Sequence, residues 1–399
     1  MTAKKQEPIR VLFLNSGLLG LLSFSKFVDQ HLVQHPGLAV TQEVLTDQLT
    51  FAERIVRRIL CQRLWHDGWL QVKNADLARW RAEWNTGLLA AGRLRRLERA
   101  GKVFDVIHFH RQAAAYALTR RMLRTASVVS IDCTQRCIVQ TATTDWERWT
   151  YRPNASWDGR IFSRTQYVVS TSQWADKWMR AEYPQLSCPS RVMHGPGELE
   201  SFDQAWVAER LSRSTATDYK PCFLFVGGDF PRKGGPALLE AWRRGGFKNR
   251  AVLKLVTNWP LSAESLPEGV VVVRKIESYS HEWREVYRSA DVFVMPTENE
   301  AYGLVYLEAA SAGLPCIGTD HNAIPELIVH GKTGLLVAPG DTDSLIDAMN
   351  RLLTSPTLRT DFGRAGRAHV EALADPKVYT EDLVQIFSEV VSRFTASQL

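Results

Sequence analysis

The chain has 399 residues, of which 45% are hydrophobic and 23% charged, with a formal net charge of +6. That balance excludes a disordered tail, a low-complexity fibre and a small disulfide scaffold, and the length is too great for one core, so two or three domains are expected. The longest apolar runs fall well short of the roughly 18–20 residues of a membrane span.

The charge is concentrated. Phe51 to Arg124 carries 16 Lys and Arg against six Asp and Glu, which leaves the remainder slightly acidic and makes an anionic partner of that region plausible. The cysteines are Cys61, Cys133, Cys137, Cys188, Cys222 and Cys316. Their spacing matches no zinc set, and several sit in apolar runs, so reduced, buried thiols in a cytosolic protein are expected. Lys4, Lys5 and Arg10 ahead of VLFLNSGLLGLLSF imitate a secretory signal. Asn15 and Ser16 interrupt that run, and no small-residue cleavage site follows, so a strand, a glycine loop and a helix are expected instead.

In chain order, RVLFLN reads as a buried strand, followed by the loop SGLLG and an apolar helix to about Val33. Residues 50–101 read as a wholly helical, basic insert. Trp65 and Trp69 are four apart, as are Trp80 and Trp84, so each pair shares a helix face. Trp faces turned into the core with a solvated basic back is the favoured expectation; contact with an anionic membrane or an acidic glycan is the alternative. VFDVIHFH (103–110) is a strand before helix-like AAAYALTRRMLR, and SVVSID (127–132) and QYVVSTS (166–172) are further strands before helical patterns. This alternation defines an α/β unit with a parallel sheet.

RVMHGPGELESF breaks the pattern with Gly195, Pro196 and Gly197, which places a domain boundary there. The expected units are 1–197 and 198–375, with a closing helix over 376–399 that can return to the first. CFLFVGG, AVLKLVT, VVVVR, DVFVMP, PCIGT and GLLVAP then repeat the strand pattern.

Two stretches carry chemistry. In TENEAYGLVYLEAASAG, a loop holds Glu300 and a helix opens near Gly303, so the free amides of Gly303, Leu304 and Val305 make an anion site at the strand tips, with Glu308 on the following turns. In FVGGDFPRKGG, glycines permit close backbone approach to a ligand, and Arg232 and Lys233 suit a pyrophosphate. A basic surface turn and a pair of solvated acids would produce the same spacing.

Taken together, Glu300-AYGLVYL-Glu308, AASAGLPCIGTD, NAIPELI and GKTGLLVAPGD resemble the retaining family 4 glycosyltransferases (glycosyltransferase group 1), closely over residues 220–375 and in outline before that. The resemblance implies an α/β protein of GT-B fold: two Rossmann-like, doubly wound domains facing a central cleft, the first binding acceptor and the second a nucleotide-sugar. It implies transfer of a hexose-type sugar, from a UDP-sugar by preference, to a glycan or lipid-linked acceptor with retention, without a metal ion and with no cofactor beyond the donor substrate. It casts Glu300 as facing the donor sugar, Glu308 as holding ribose, the Gly303, Leu304 and Val305 backbone as meeting phosphate, and Arg232 with Lys233 as neutralising the leaving diphosphate. Gly17 would approach the donor and the acceptor, and backbone near Lys275 and Ile276 would meet the base. Two departures stand out. Asn322-Ala323 replaces a common Gly-Gly pair, and Asp132 stands where many members carry a catalytic His, with His108 and His110 on the preceding strand. A nucleotide-sugar epimerase, a phosphorylase and a basic nucleic-acid adaptor are the competing readings, and no nucleic acid is expected as partner. The expected location is the cytoplasm, with peripheral attachment to an anionic inner membrane face as a further expectation.

Overall fold

The computed structural model describes residues 7–17, 21–62, 77–140, 144–212 and 219–398. Trp65 and Trp69 of the insert, Lys4 and Lys5, and the last three residues of the SGLLG loop lie outside these residues. The chain divides into two compact units, Met1–His194 with Pro376–Leu399, and Gly195–Asp375. The division falls between His194 and Gly195, at the Gly-Pro-Gly break.

The first unit runs β1 (Ile9–Asn15), α1 (Leu21–Phe27), β2 (Leu38–Val44), α2 (Phe51–Cys61), α3 (Ala78–Arg99), β3 (Val106–His110), β4 (Ala126–Ile131), α4 (Gln135–Gln140), α5 (Asp145–Phe162), β5 (Tyr167–Ser170), α6 (Gln173–Glu182) and β6 (Ser190–Val192). The strands form one parallel sheet in the order β2-β1-β3-β4-β5-β6. Val11 to Leu14, Val106, Ile107, Val128 and Val129 are buried on both faces of it, which is why these strands read as continuous apolar runs. Each fully buried aliphatic or aromatic side chain contributes about 1.5–3 kcal/mol relative to exposure, so these central strands carry much of the unit's stability.

The insert is helical where it is described. A capping box starts α2: the Thr50 hydroxyl accepts from the Glu53 amide at 3.2 Å, and the Thr50 amide donates back to the Glu53 carboxylate at 2.8 Å. Trp80 and Trp84 of α3 pack against Trp157 and Tyr116, so their shared face belongs to the core, as expected. The segment after β3 differs from expectation. Gln112–Leu118 and Arg121–Leu123 form tight 3-10 turns rather than an α-helix. The cause is α3, which crosses this segment at Gly87 so closely that a Cβ there would lie 2.7 Å from the Ala117 amide nitrogen and from Tyr116. The two edge strands, β2 and β6, went unread in the sequence because their half-exposed residues give no apolar run.

The second unit contains α7 (Gln204–Ser212), β7 (Cys222–Val226), α8 (Gly235–Arg244), β8 (Val252–Val256), β9 (Val270–Val273), α9 (His281–Arg288), β10 (Val292–Val294), α10 (Leu304–Ser311), β11 (Cys316–Thr319), α11 (Ile324–Leu327), β12 (Gly334–Val337), α12 (Thr342–Thr354) and α13 (Pro356–Leu373). Its parallel sheet has the order β12-β11-β10-β7-β8-β9. The direction of strand succession reverses between β7 and β10, and in open α/β sheets that switch is where ligands lie, beyond the carboxyl ends of the strands. The last helix, α14 (Pro376–Gln398), buries Tyr379, Leu383, Ile386, Phe387 and Val390 in the core of the first unit.

Candidate active site

The two chemical motifs of the second unit sit at its switch point, one after β7 and the other after β10. The β7 loop turns through Gly227 and Gly228 to Arg232, Lys233 and the start of α8. Gly234 has φ 78°, and a Cβ there would collide with the Pro296 carbonyl oxygen, so the β7 and β10 loops touch backbone to backbone. The Glu298 amide and the Thr297 hydroxyl both donate to the Arg232 carbonyl, at 3.2 and 3.1 Å, and fasten the loops together.

That contact brings the expected charges into one cluster. Lys233 Nζ lies 3.2 Å and Arg232 Nη1 3.4 Å from Glu300 Oε2. Arg232 Nη1 also donates to the Asn299 carbonyl at 2.6 Å. The stem of Lys233 passes over Gly227, where a Cβ would lie 2.6 Å from Lys233 Cδ. Asn322, in the left-handed region with φ 53°, donates through Nδ2 to the Glu300 carbonyl at 3.0 Å. Asn tolerates that conformation nearly as well as Gly, which accounts for its standing at a position where the family often has Gly.

The helix α10 opens at Gly303, whose φ of 90° suits glycine; a Cβ would meet the Tyr306 ring at 2.8 Å and Glu300 Cγ at 3.3 Å. Leu304 and Val305 start the helix, and their amides have no carbonyl partner within it. At the other end the carbonyls are fully taken. The Leu314 amide donates to Ala309 and the Gly313 amide to Ala310, both at 2.9 Å, a Schellman ending. Arg210 donates to Ala312 and Gly313, and Arg367 to Ser311. Cations at the C-terminus and free amides at the N-terminus leave the open, positive helix end directed to the switch point.

Glu308 lies inside, 9% exposed, and accepts from the Tyr287 hydroxyl at 2.6 Å. Burial pushes its carboxyl up to about 7, against the opposing hydrogen bond from Tyr287. Sequence reading found Glu308 and missed Tyr287, which lies on α9 in a polar pattern with no signal of its own. Ile276 follows β9 at the same edge of the sheet, after Lys275, whose backbone amide donates to Asn258 Oδ1 at 2.8 Å.

In the first unit the expected residues also lie at the carboxyl edge of the sheet, where the strand order reverses between β1 and β3. Gly17 follows β1 with φ 71°, and its amide donates to Asn15 Oδ1 at 3.0 Å. His108 is not at this edge. It is wholly buried, with Nε2 2.7 Å from the Ser130 hydroxyl and its ring against Phe13, a packing role. His110 ends β3; burial pulls its pKa down to about 3, so it is neutral at pH 7, and its Nδ1 has no hydrogen-bond partner among the described residues. Asp132 directly follows β4 with a buried Oδ1 that likewise lacks a partner among the described residues. Arg111, which sequence reading missed, holds φ 96° and ψ 149° beside them, a region that only glycine visits freely. Backbone strain and polar atoms without partners among the described residues thus collect at this strand edge.

One correction concerns the thiols. Cys61 is exposed, not buried, because α2 buries none of its side chains. Among the described residues, no three His, Cys, Asp or Glu side chains converge to hold a metal ion.

Two Rossmann-like units, each built on a six-stranded parallel sheet, define a protein of GT-B fold. Residues 220–355, about a third of the chain, match the family model for glycosyl transferases group 1. It is similar to the sulfoquinovosyl transferase SQD2 of Arabidopsis thaliana, 42% identical over 93 residues, 23% of this chain and 18% of that protein. The chain therefore spans less than a fifth of that relative's length. Sucrose-phosphate synthase of Thermosynechococcus elongatus superposes with a TM-score of 0.71 at 18% identity, over 97% of this chain and 100% of that one. HepE of Anabaena, in complex with UDP-glucose, superposes with a TM-score of 0.65 at 13% identity, over 96% of this chain and 100% of that one. At such identities the structures share the fold.

Proposed function

We propose that the protein transfers a hexose from a UDP-sugar to a hydroxyl of a glycan or lipid-linked acceptor, with retention of configuration and without a metal ion. The observation that supports this most is the cluster of Arg232, Lys233 and Glu300 beside the open end of α10, at the switch point of the second sheet. The two cations and the Leu304 and Val305 amides suit a diphosphate whose negative charge grows as its bond to the sugar breaks. Glu300 stands where it can accept from sugar hydroxyls, and Glu308, once ionised, from the ribose hydroxyls. In the reaction the acceptor oxygen bonds to the sugar's anomeric carbon, the bond from that carbon to the diphosphate oxygen breaks, and the acceptor's proton leaves with the diphosphate.

The choice of uracil rests on the UDP-glucose held by HepE. Ile276 would meet the base with its backbone. Gly17, His110 and Asp132 would approach the acceptor, with neutral His110 able to hydrogen-bond a hydroxyl through Nδ1. The six unpaired cysteines suit a reducing compartment, so we place the reaction in the cytoplasm, at the inner face of an anionic membrane when the acceptor is lipid-linked.

The test is release of free nucleotide from UDP-, GDP- and ADP-sugars by the purified protein beside Glu300→Gln. Turnover of a UDP-hexose that the variant loses is the expected result. Conversion of the free sugar nucleotide to an epimer, or turnover that requires inorganic phosphate, would replace the transferase reading.

A further inference from the structure

The insert contains two helices of similar composition with opposite fates. On α3, Trp80 and Trp84 are in the core. On α2, Phe51 is 73%, Ile55 44% and Ile59 63% exposed. These three recur at helical spacing and form one stripe. Glu53, the acid of α2, is turned away from them to pair with Arg96 of α3 at 3.2 Å. Arg54 and Arg58 edge the stripe along one side, with Arg57 further round toward Glu53; all three are exposed and make no ion pair among the described residues.

A second exposed apolar feature lies on α5. Trp146 and Trp149 are 47% and 46% exposed and stack on each other, with ring centroids 5.0 Å apart. Arg148 and Arg152 lie beside them on the same helix and are likewise exposed. Arg152 also lines a groove of about 560 Å³ with Arg136 and Ser156. The two features flank the first turns of α3. Arg81 donates to the Ile59 and Leu60 carbonyls of α2 at 3.2 and 3.0 Å, while Arg79 sits 5.5 Å over the ring of Tyr151, two residues beyond Trp149.

We infer that α2 docks this unit on an anionic bilayer surface, with the Trp146–Trp149 stack as a second anchor. An exposed apolar stripe, unpartnered among the described residues and edged by cations, is the form of an interfacial helix: the stripe enters the headgroup boundary, and the arginines stay at phosphate level on their flexible stems. Exposed Trp rings suit the same boundary. The charge complementarity is regional, since the excess of cations lies between Phe51 and Arg124. The inference deepens the proposal of a lipid-linked acceptor, because a docked unit would meet such an acceptor at the membrane.

The experiment is flotation of the full-length protein with vesicles of phosphatidylcholine alone and of phosphatidylcholine mixed with phosphatidylglycerol, at low and high salt, beside the double variant Ile55→Glu, Ile59→Glu and the double variant Trp146→Ala, Trp149→Ala. The expected result is flotation with anionic vesicles only, weakened by salt. The α2 variant should lower it about tenfold or more and the Trp variant several-fold, with circular dichroism unchanged in both. Absence of flotation by the wild type, or equal flotation by the α2 variant, overturns the inference. Self-association that the α2 variant abolishes, without vesicle binding, would assign the stripe to a second copy of the chain and overturn it too. Nucleotide release in solution is measured in parallel. Vesicle binding without turnover would reject the transferase proposal and leave the docking surface standing; turnover without binding would do the reverse.

Discussion

Lys233 Nζ stands 3.2 Å from Glu300 Oε2, across 67 residues of sequence, and joins the loop after β7 to the loop after β10. Each loop on its own is a polar turn at the end of a strand. Joined, they hold a cation and a carboxylate where a diphosphate and the sugar it carries would lie side by side.

Lys233→Ala removes the cation that the proposed function sets against the leaving diphosphate, and on that proposal the expected loss in kcat for the UDP-hexose is about 10²- to 10³-fold, as for other preorganised charges that act on a transition state. Arg232→Ala should cost less, because its guanidinium is shared between Asp229 and Asn299. Steady-state nucleotide release measures both. Near-wild-type rates in the two variants would remove these residues from the chemistry.

Glu308 predicts a pH dependence with a definite sign. Its carboxyl is pushed from 4.5 to about 7 by burial. Ribose hydroxyls donate best to the ionised form, so donor KM should fall as pH rises from 6 to 8, and binding should release a proton near neutral pH. Glu308→Gln should bind more weakly at pH 8 and lose the dependence. Calorimetric titration with UDP in two buffers of different ionisation heat reads the proton directly.

The same shift is a statement about stability. Below pH 4.5 the folded and unfolded states both hold the proton. Between 4.5 and about 7 only the folded state does, so the wild type loses stability as pH rises through that window and stays lower above it. Glu308→Gln removes the penalty, which is about 3 kcal/mol at pH 8. Thermal unfolding should therefore show the variant gaining Tm over the wild type at pH 8 and not at pH 4.5.

Gly234→Ala places a Cβ against the Pro296 carbonyl at a φ of 78°. The expected cost is about 2–3 kcal/mol, with donor turnover reduced because the two loops are forced apart. Asn322→Gly, at a residue that keeps φ 53° but also donates to Glu300, should leave Tm within a few degrees and lower turnover. A drop in Tm as large as that of Gly234→Ala would mean that the hydrogen bond to Glu300, rather than the turn conformation, is what Asn322 supplies.

His110 should not titrate between pH 5 and 8. Burial pulls it down to about 3 against the counteracting pull of Asp132. An NMR titration of the ring protons checks this, and an inflection near 6.5 assigned to His110 would contradict it.

Much of this was legible beforehand, for reasons that differ by element. The central strands of both sheets are buried on two faces and so announce themselves as apolar runs; β2 and β6 stand at an edge and do not. Gly234 after Lys233 and Gly303 before Leu304 marked both loops, because φ values of 78° and 90° suit that residue. The segment 112–124 misled, since its helical composition says nothing of α3 pressing on it through Gly87.

The sequence by itself determined the succession of strands and helices, the local form of each turn, and the residue types able to hold a diphosphate, because these depend on neighbours a few positions away. The tertiary structure alone decided that Lys233 meets Glu300 and that Tyr287 caps Glu308, since partners so far apart in the chain meet only when the sheet order is fixed. It also decided that Trp80 is packed while Phe51, Ile55 and Ile59 are not. Two amphipathic helices can carry the same pattern, and only the presence or absence of an apolar neighbour such as Trp157 determines which face is removed from water.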